Sequence, residues 1–293
     1  MISILIPTYN YDTTPLVQNL LDQAKSLKQS VEILVFDDGS INFREENTKN
    51  GESEQVTYQY FENNTGRSAI RQKLAEQASH DLLLFLDADV LPESSNFLEK
   101  YVKTANDGTM VLCGGVTYDS TPPSEDKMLR YVYGKEREAK SAAVRSIEPY
   151  IIVTANMLIQ KDLFLKINED LTNFYGEDLL ISWNLKKLGV NVSHIDNPVV
   201  HLGLEESANF LEKARSAITN IVRLEKEGKI GEDFISLQRA YGKLKRFGGL
   251  GLFHWIMRRM NQRIRANALS HRPSMFYFNL LRLSHYAELK KNG

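Results

Sequence analysis

Asp87-Ala88-Asp89 stands directly after the apolar run Leu82–Leu86. Two carboxylates two residues apart at a strand end can share one hard divalent cation, with water and phosphate oxygens completing its shell. Mg2+ or Mn2+ held there would neutralise a diphosphate as it departs. A bare Asp-x-Asp is more often a solvated turn; its position after a buried strand strengthens the metal reading and leaves both open. Asp37-Asp38-Gly39-Ser40 closes the preceding apolar run, residues 31–36. A carboxylate there can accept from a nucleobase N–H or a ribose hydroxyl, or can simply form an Asp-Gly turn. Asn64-Thr65-Gly66-Arg67-Ser68 opens a helix that also carries Arg71. Arg67 and Arg71 are four apart and share a face, so near a helix N-terminus they can hold a diphosphate; a capped helix with solvated arginines has the same pattern. In Gly176-Glu177-Asp178 a carboxylate at a helix start is favoured by the dipole whatever its task, and is also a candidate general base. His201, in Asn197-Pro198-Val199-Val200-His201-Leu202-Gly203, offers an imidazole suited to Mn2+ beside carboxylates, although a lone histidine is usually structural. His194, inside a strand run, reads as structural.

Strands alternating with helices must position these groups. Residues 2–6, 31–36, 82–86 and 110–113 are short apolar runs of the kind that is buried on both faces. Between them, Leu16, Val17, Leu20, Leu21, Ala24 and Leu27 recur at helical spacing. So do Ile70, Leu74, Ala75 and Ala78, and then Phe97, Leu98, Tyr101, Val102 and Ala105. The alternation implies crossover units and a mainly parallel sheet, whose ligands bind at the carboxyl ends of the strands, where both acidic motifs lie. Residues 42–55 read as an exposed loop and 122–148 as a charged, mobile loop over the site. Residues 151–159 resume as strand, and Leu179, Leu180, Trp183 and Leu188 mark a helix stopped by Gly189. Beyond Glu205 the signals are helical only, which sets a catalytic domain at 1–203 and a helical, basic extension at 204–293.

The chain has 293 residues, 42% hydrophobic and 25% charged, enough for a sizeable core. Its single cysteine, Cys113, excludes an internal disulfide and a multi-cysteine metal site. The N-terminal run lacks a basic flank and meets Pro7, so no signal peptide is expected; no apolar stretch approaches the ~20 residues of a membrane span. Both point to a cytoplasmic protein. The net charge of −1 conceals a segregation. Residues 243–293 hold eleven Lys and Arg against Glu288 alone, a net +10, which leaves −11 for the preceding 242. Within that tail, apolar and aromatic residues mix with arginine from Phe247 to Met257 and again around Met275-Phe276-Tyr277-Phe278. An interfacial helix on anionic lipid has this composition, and so has a helical cap. The expectation is a peripheral contact with the cytoplasmic membrane face. No nucleic-acid recognition module is present.

In this order and spacing, the motifs resemble the inverting family 2 glycosyltransferases of the GT-A fold, over residues 1–203. Ile4-Leu5-Ile6-Pro7-Thr8-Tyr9-Asn10 is similar to that family's first strand and nucleotide loop, which gives Pro7 and Tyr9 nucleotide contacts. Phe36-Asp37-Asp38-Gly39-Ser40 resembles its uracil-binding turn, with Asp38 on the base. Asn64-Thr65-Gly66 through Arg71 resembles its following helix, and Phe85-Leu86-Asp87-Ala88-Asp89 its Asp-x-Asp motif. Gly176-Glu177-Asp178 matches the acidic motif that supplies the base. The resemblance implies a UDP-sugar donor, an acceptor hydroxyl on a carbohydrate or lipid-linked carbohydrate, and work in surface polysaccharide or glycolipid assembly. It implies that Asp87 touches ribose or metal, and that Asp89, with His201 as in the GT-A enzymes that use a histidine there, binds Mn2+ or Mg2+. Arg67 or Arg71 would face the diphosphate, and Asp178, or failing it Glu177, would be the base. Asp178 is followed by Leu179-Leu180-Ile181-Ser182-Trp183 rather than by the Gln and Trp with which many relatives grip the acceptor, so acceptor recognition is not carried over.

Other readings make different demands. A sugar-1-phosphate nucleotidyltransferase needs a Gly-rich, basic N-terminal phosphate loop, and residues 1–11 contain neither glycine nor base. A noncatalytic nucleotide-sugar-binding protein on the same fold would lack one or more of the acids. A phosphatase with an Asp nucleophile would need further downstream motifs.

Overall fold

The computed structural model describes residues 1–27, 30–106, 108–168 and 176–291. The chain divides into two compact units, Met1–Asp119 with Glu138–Gly203, and Ser120–Arg137 with Leu204–Gly293. In chain order the elements are β1 (Ile2–Thr8), α1 (Thr14–Ala24), β2 (Val31–Asp37), α2 (Arg44–Thr48), β3 (Val56–Tyr60), α3 (Arg67–Gln77), β4 (Leu82–Leu86), β5 (Val90–Pro92), α4 (Phe97–Thr104), β6 (Val111–Cys113) and β7 (Val116–Thr117). They continue with α5 (Met128–Tyr133), α6 (Ala142–Arg145), β8 (Asn156–Gln160), α7 (Lys161–Asn168), α8 (Asp178–Lys187), β9 (Val192–His194) and β10 (Val199–His201). The last four are α9 (Ser207–Lys226), α10 (Ser236–Arg246), α11 (Leu250–Ala268) and α12 (Met275–Lys291).

The first unit is an α/β fold around a seven-stranded sheet in the order β3-β2-β1-β4-β8-β6-β9. β1, β2 and β4 are the apolar runs seen in the sequence, and Ile4, Leu5, Ile6, Leu83, Leu84 and Phe85 are buried. Each such side chain taken from water contributes about 1.5–3 kcal/mol, which places these three strands side by side in mid-sheet. β1 pairs in parallel with β2 and β4, and β2 with β3. The sheet is mixed, because β8 runs antiparallel to both β4 and β6. A three-stranded sheet, β5-β10-β7, stands beside the main one.

Two expected loops are more ordered than their polarity suggests. Residues 42–55 contain α2 and a 3₁₀ turn, Lys49–Glu52. Asn47 and Asn50 are buried there because both bind Thr13 at the start of α1. Thr13 donates from its N–H and its hydroxyl to Asn47 Oδ1 at 2.9 and 2.8 Å, and Asn50 Nδ2 donates to Thr13 Oγ1 at 3.0 Å. Residues 122–148 are not one loop but carry helices and divide between the two units. Their first part carries α5 in the second unit. Their second part carries α6, held by Arg145, which donates to the carbonyls of Cys113, Gly114 and Ile195 and to Nδ1 of His194. Strand begins only at Asn156, not at 151.

The second unit is helical. Leu129 of α5, Phe210 and Leu211 of α9, Ala268 of α11, and Met275 and Phe278 of α12 make its core. Buried Glu225 of α9 accepts from Gln238 Nε2 (2.6 Å), Tyr286 hydroxyl (2.5 Å) and Lys290 Nζ (3.0 Å), joining α9 to α10 and α12. Among the described residues no helix is long and apolar enough to cross a membrane.

Candidate active site

The parallel register of β1 and β2 pairs Thr8 with Asp37, so both strands end together, and the Asp38 N–H donates to Thr8 O at 2.9 Å. Asp37 accepts from the Ser40 N–H and the Tyr58 hydroxyl, at 2.8 and 2.9 Å. Asp38 reaches across to the entrance of α3. Its Oδ1 accepts from the Thr65 N–H and hydroxyl, each at 2.8 Å, and its Oδ2 from the Gly66 N–H at 2.7 Å. Three of about four acceptor positions on a carboxylate are thus used, which leaves room for one nucleobase N–H. Pro7 is the penultimate residue of β1, and Tyr9 stands exposed just beyond the strand.

Ser68 and Arg71, three residues apart on α3, share one face. Both donate to Glu177, Ser68 at 2.6 Å to Oε2 and Arg71 to Oε1. Arg71 also donates to Asp87 Oδ1 at 2.6 Å. The side chains of Arg71 and Glu177 are each 3% exposed, so this is an interior ion pair rather than an open clamp. Arg67, one turn earlier, is exposed. Of the two arginines, the structure leaves Arg67 at the surface and commits Arg71 to the acids. Asp178, the first residue of α8, is half-buried and accepts from the Thr154 hydroxyl at 2.7 Å. Thr154 stands there because β8 is antiparallel to β4, with Leu86 opposite Asn156 and the Asp87 N–H donating to Ala155 O.

Asp89 meets His201 through the small sheet. β10 pairs antiparallel with β5 with His201 opposite Val90, and the Leu202 N–H donates to Asp89 O at 2.8 Å. Asp89 Oδ2 then faces His201 Nε2 at 3.5 Å. Gly203 lies against the same carboxylate, where an added Cβ would fall 1.8 Å from Oδ2. A carboxylate oxygen and an imidazole nitrogen at this spacing can both reach one cation. Asp87 is turned to Arg71 instead, and among the described residues no three His, Cys, Asp or Glu side chains converge on a metal position. Two protein donors with phosphate and water filling the rest is the usual pattern for Mg2+ bound with a nucleotide. Asp87, Asp89, Glu177 and Asp178 carry four negative charges against Arg67 and Arg71. A dication would balance this cluster, so the donor set and its charge fit the metal.

Residues 3–167 match the model of glycosyl transferase family 2, more than half of the chain. The chain belongs to that family. EpsH of Bacillus subtilis (strain 168), which its name classes among candidate glycosyltransferases, is 24% identical over 220 residues, 71% of this chain and 62% of that one. The matched region therefore spans less than two thirds of that relative's length. The fold is GT-A. It is similar to that of the mannosyltransferase PcManGT from Pyrobaculum calidifontis (TM-score 0.63, 16% identity, 98% of this chain and 86% of that one). It also resembles glucosyl-3-phosphoglycerate synthase from Mycobacterium tuberculosis (TM-score 0.50, 15% identity, 76% and 79%).

The family match ends at residue 167, so Glu177, Asp178 and His201 lie outside it, and their joining to the motif is a matter of geometry. Electrostatics separates the acids. Burial alone would raise the Asp87 carboxyl, but Arg71 and Arg67 more than offset it and hold it below the usual range. Burial raises Asp89; Asp87 adds to this and His201 opposes it. Burial likewise raises Glu177 and Asp178 against the pull of Arg71. The half-buried Tyr11 phenol is raised by burial and by the nearby charge of Asp89. Tyr11 and Thr154 belong to no motif, and the sequence assigns no role to Ser68 or Gly203 within theirs. Thr154 and Gly203 reach the acids through strand pairing, of β4 with β8 and of β5 with β10.

Proposed function

We propose that the protein is an inverting glycosyltransferase that moves a sugar from a nucleotide diphosphate, UDP by preference, to an acceptor hydroxyl. The observation that carries this reading is the placement of Asp178 beside the strand-end acids. It is held by Thr154, raised by burial, and has a neighbour, Glu177, with both oxygens already engaged. A base works best when its pKa lies near the working pH, and burial moves Asp178 that way. Asp178 takes the acceptor proton as the acceptor oxygen bonds to the anomeric carbon, and the bond from that carbon to the diphosphate breaks on the opposite face. No covalent enzyme intermediate is needed. Asp38 accepts from the base, Pro7 and Tyr9 border it, and Arg67 faces the diphosphate. Arg71 acts through Asp87 and Glu177. Asp89 and His201 would hold Mn2+ or Mg2+, which supplies positive charge to the leaving diphosphate.

PcManGT was solved with GDP-Man and Mn2+, and the mycobacterial synthase with Mn2+, UDP and glucosyl-3-phosphoglycerate, which agrees with a metal and a nucleotide sugar. The acceptor is a carbohydrate or lipid-linked carbohydrate of a surface polymer or glycolipid. The test is a screen of UDP- and GDP-sugars for hydrolysis with Mn2+. Turnover should require the metal, vanish with EDTA and return with Mn2+. Turnover indifferent to EDTA removes the metal, and turnover of GDP-sugars alone replaces uracil by guanine at Asp38.

A further inference from the structure

The helix α10 ends in a turn that leaves apolar side chains in water. The Gly248 N–H donates to Lys245 O at 3.1 Å and the Gly249 N–H to Leu244 O at 2.9 Å, a Schellman pair that requires a left-handed residue at Gly248 (φ +68°). Phe247, the cap residue, is 82% exposed. In the first turns of α11, Leu252 is 65% and Trp255 59% exposed. At 100° per residue, Leu252, Trp255 and Arg259 share the helix face opposite Met257, Ile264 and Ala268, which are buried. Arg259 lies over the Trp255 ring at 5.6 Å.

Along this stretch of chain the charge has one sign; from neighbouring elements, Glu212 pairs with Arg265 at 3.0 Å and Glu232 lies within reach of the Lys245 charge. Between Lys243 and Arg265 there are seven Lys and Arg and no acid, and all seven are exposed. Only part of the basic, aromatic tail has this character. Met275 and Phe278, whose sequence has the same look, are packed in the core of the second unit. Most exposed hydrophobic residues stand singly and need no explanation. Here an exposed Phe, Leu and Trp stand on one turn and one helix face among cations.

We propose that the α10–α11 corner is an interfacial anchor for an anionic lipid surface, with Phe247, Leu252 and Trp255 entering the headgroup boundary and Lys243, Lys245, Arg246, Arg258, Arg259 and Arg263 meeting lipid phosphate. The complementarity is specific to this occupant. Aromatic residues favour the interface because one end of the ring system is apolar and the other is wet, and basic residues beside them gain from the negative surface potential. Because no helix among the described residues can span the bilayer, the contact is one of surface binding. The inference is independent of the donor chemistry proposed above.

The experiment is co-sedimentation of the full chain with phosphatidylglycerol/phosphatidylcholine vesicles and with pure phosphatidylcholine vesicles, at low and high salt. Two variants are compared, Phe247→Ser/Trp255→Ser and Lys243→Gln/Lys245→Gln/Arg246→Gln; all these side chains are exposed, so both variants should fold, as circular dichroism would verify. The expected result is pelleting with the anionic vesicles only, lost at high salt, and a partition coefficient lower by about tenfold or more in each variant. Wild-type protein left in the supernatant at low salt overturns the proposal. So does undiminished pelleting of both variants, which would put the lipid contact elsewhere. A dimer of the wild type, dissociated by Phe247→Ser/Trp255→Ser in sedimentation equilibrium without vesicle binding, would assign the corner to a second copy of the chain and overturn it equally.

Discussion

Glu177 and Asp178 are adjacent in sequence and opposite in circumstance. Glu177 is closed in by Ser68 and Arg71, whereas Asp178 has Thr154 on one oxygen and is half-buried. Asp178→Asn should lower turnover by roughly 10²–10⁴-fold with UDP affinity retained, because the amide keeps the Thr154 contact but takes no proton. Glu177→Gln should lower the melting temperature more than the rate. The reverse pattern in steady-state kinetics and thermal melts would exchange their roles. The pH profile follows from direction alone. Burial raises the Asp178 carboxyl, so the base is ionised only above that raised value, and the rate at saturating Mn2+ should rise with pH on a limb above the ordinary ~4 of aspartate. A limb at or below that value would remove Asp178 as the base. Gly203 tests the proposed metal position without replacing a donor. A Cβ there would meet Asp89 Oδ2 at 1.8 Å and Cγ at 2.7 Å, so the carboxylate must leave its present position opposite His201. Gly203→Ala should weaken Mn2+ binding by about 10–100-fold, as loss of a supporting contact does, with the apo melting temperature little changed. Gly242→Ala, where a Cβ meets open space, is the matching control. Unaltered Mn2+ affinity in a titration of Gly203→Ala would put the metal elsewhere.

Helix α3 shows where a sequence pattern under-determines a role. Arg67 and Arg71 lie on one face at the right end of the helix for a diphosphate, and the sequence treats them alike. Burial separates them, because Arg71 sits between β4 and the start of α8 and binds acids from both. Its loss would leave Glu177 and Asp87 without their countercharge. Breaking a buried pair from one side costs about 3–5 kcal/mol. Arg71→Met should therefore lower the apo melting temperature strongly in differential scanning calorimetry. An unchanged apo melt with weaker UDP binding would return Arg71 to the diphosphate. The same division holds for the fold. β1, β2 and β4 are legible because a strand buried on both faces must be apolar throughout. The helix faces of Leu16–Leu20 and Ile70–Leu74 are legible from their period. β5, β7 and β10, two or three residues each, are too short to show a period, yet their register brings His201 to Asp89. Asn47 and Asn50 look like solvent residues, and it is their bonds to Thr13 and to the Tyr11 carbonyl that hold them in the interior. The strand β8 shows in the sequence as an apolar run, but such a run carries no direction, and it is the antiparallel direction that brings Thr154 to Asp178.

Across the whole chain, charge follows the structural units and not merely the tail. The unit made of Ser120–Arg137 and Leu204–Gly293 carries +10, and the other carries −11. A nucleotide sugar and an anionic lipid surface are both negative, so each should respond to the unit that receives it. For the first unit, the long-range field opposes a nucleotide-sugar donor, and on the function proposed above its binding would rest on Arg67, the helix α3 terminus and a metal between Asp89 and His201. For the second, the long-range field favours the lipid. Salt acts on long-range interactions first, since the Debye length falls from about 10 Å at 0.1 M to about 3 Å at 1 M, whereas contacts within a partly dry site are screened less. Raising salt should therefore release the protein from anionic vesicles while UDP affinity at saturating Mn2+ stays level or improves. Co-sedimentation and calorimetric titration of UDP in the same series of buffers measure both responses. A fall of both in parallel would mean that cations of the second unit also contribute to donor capture, and the two functions would then no longer divide along the two units.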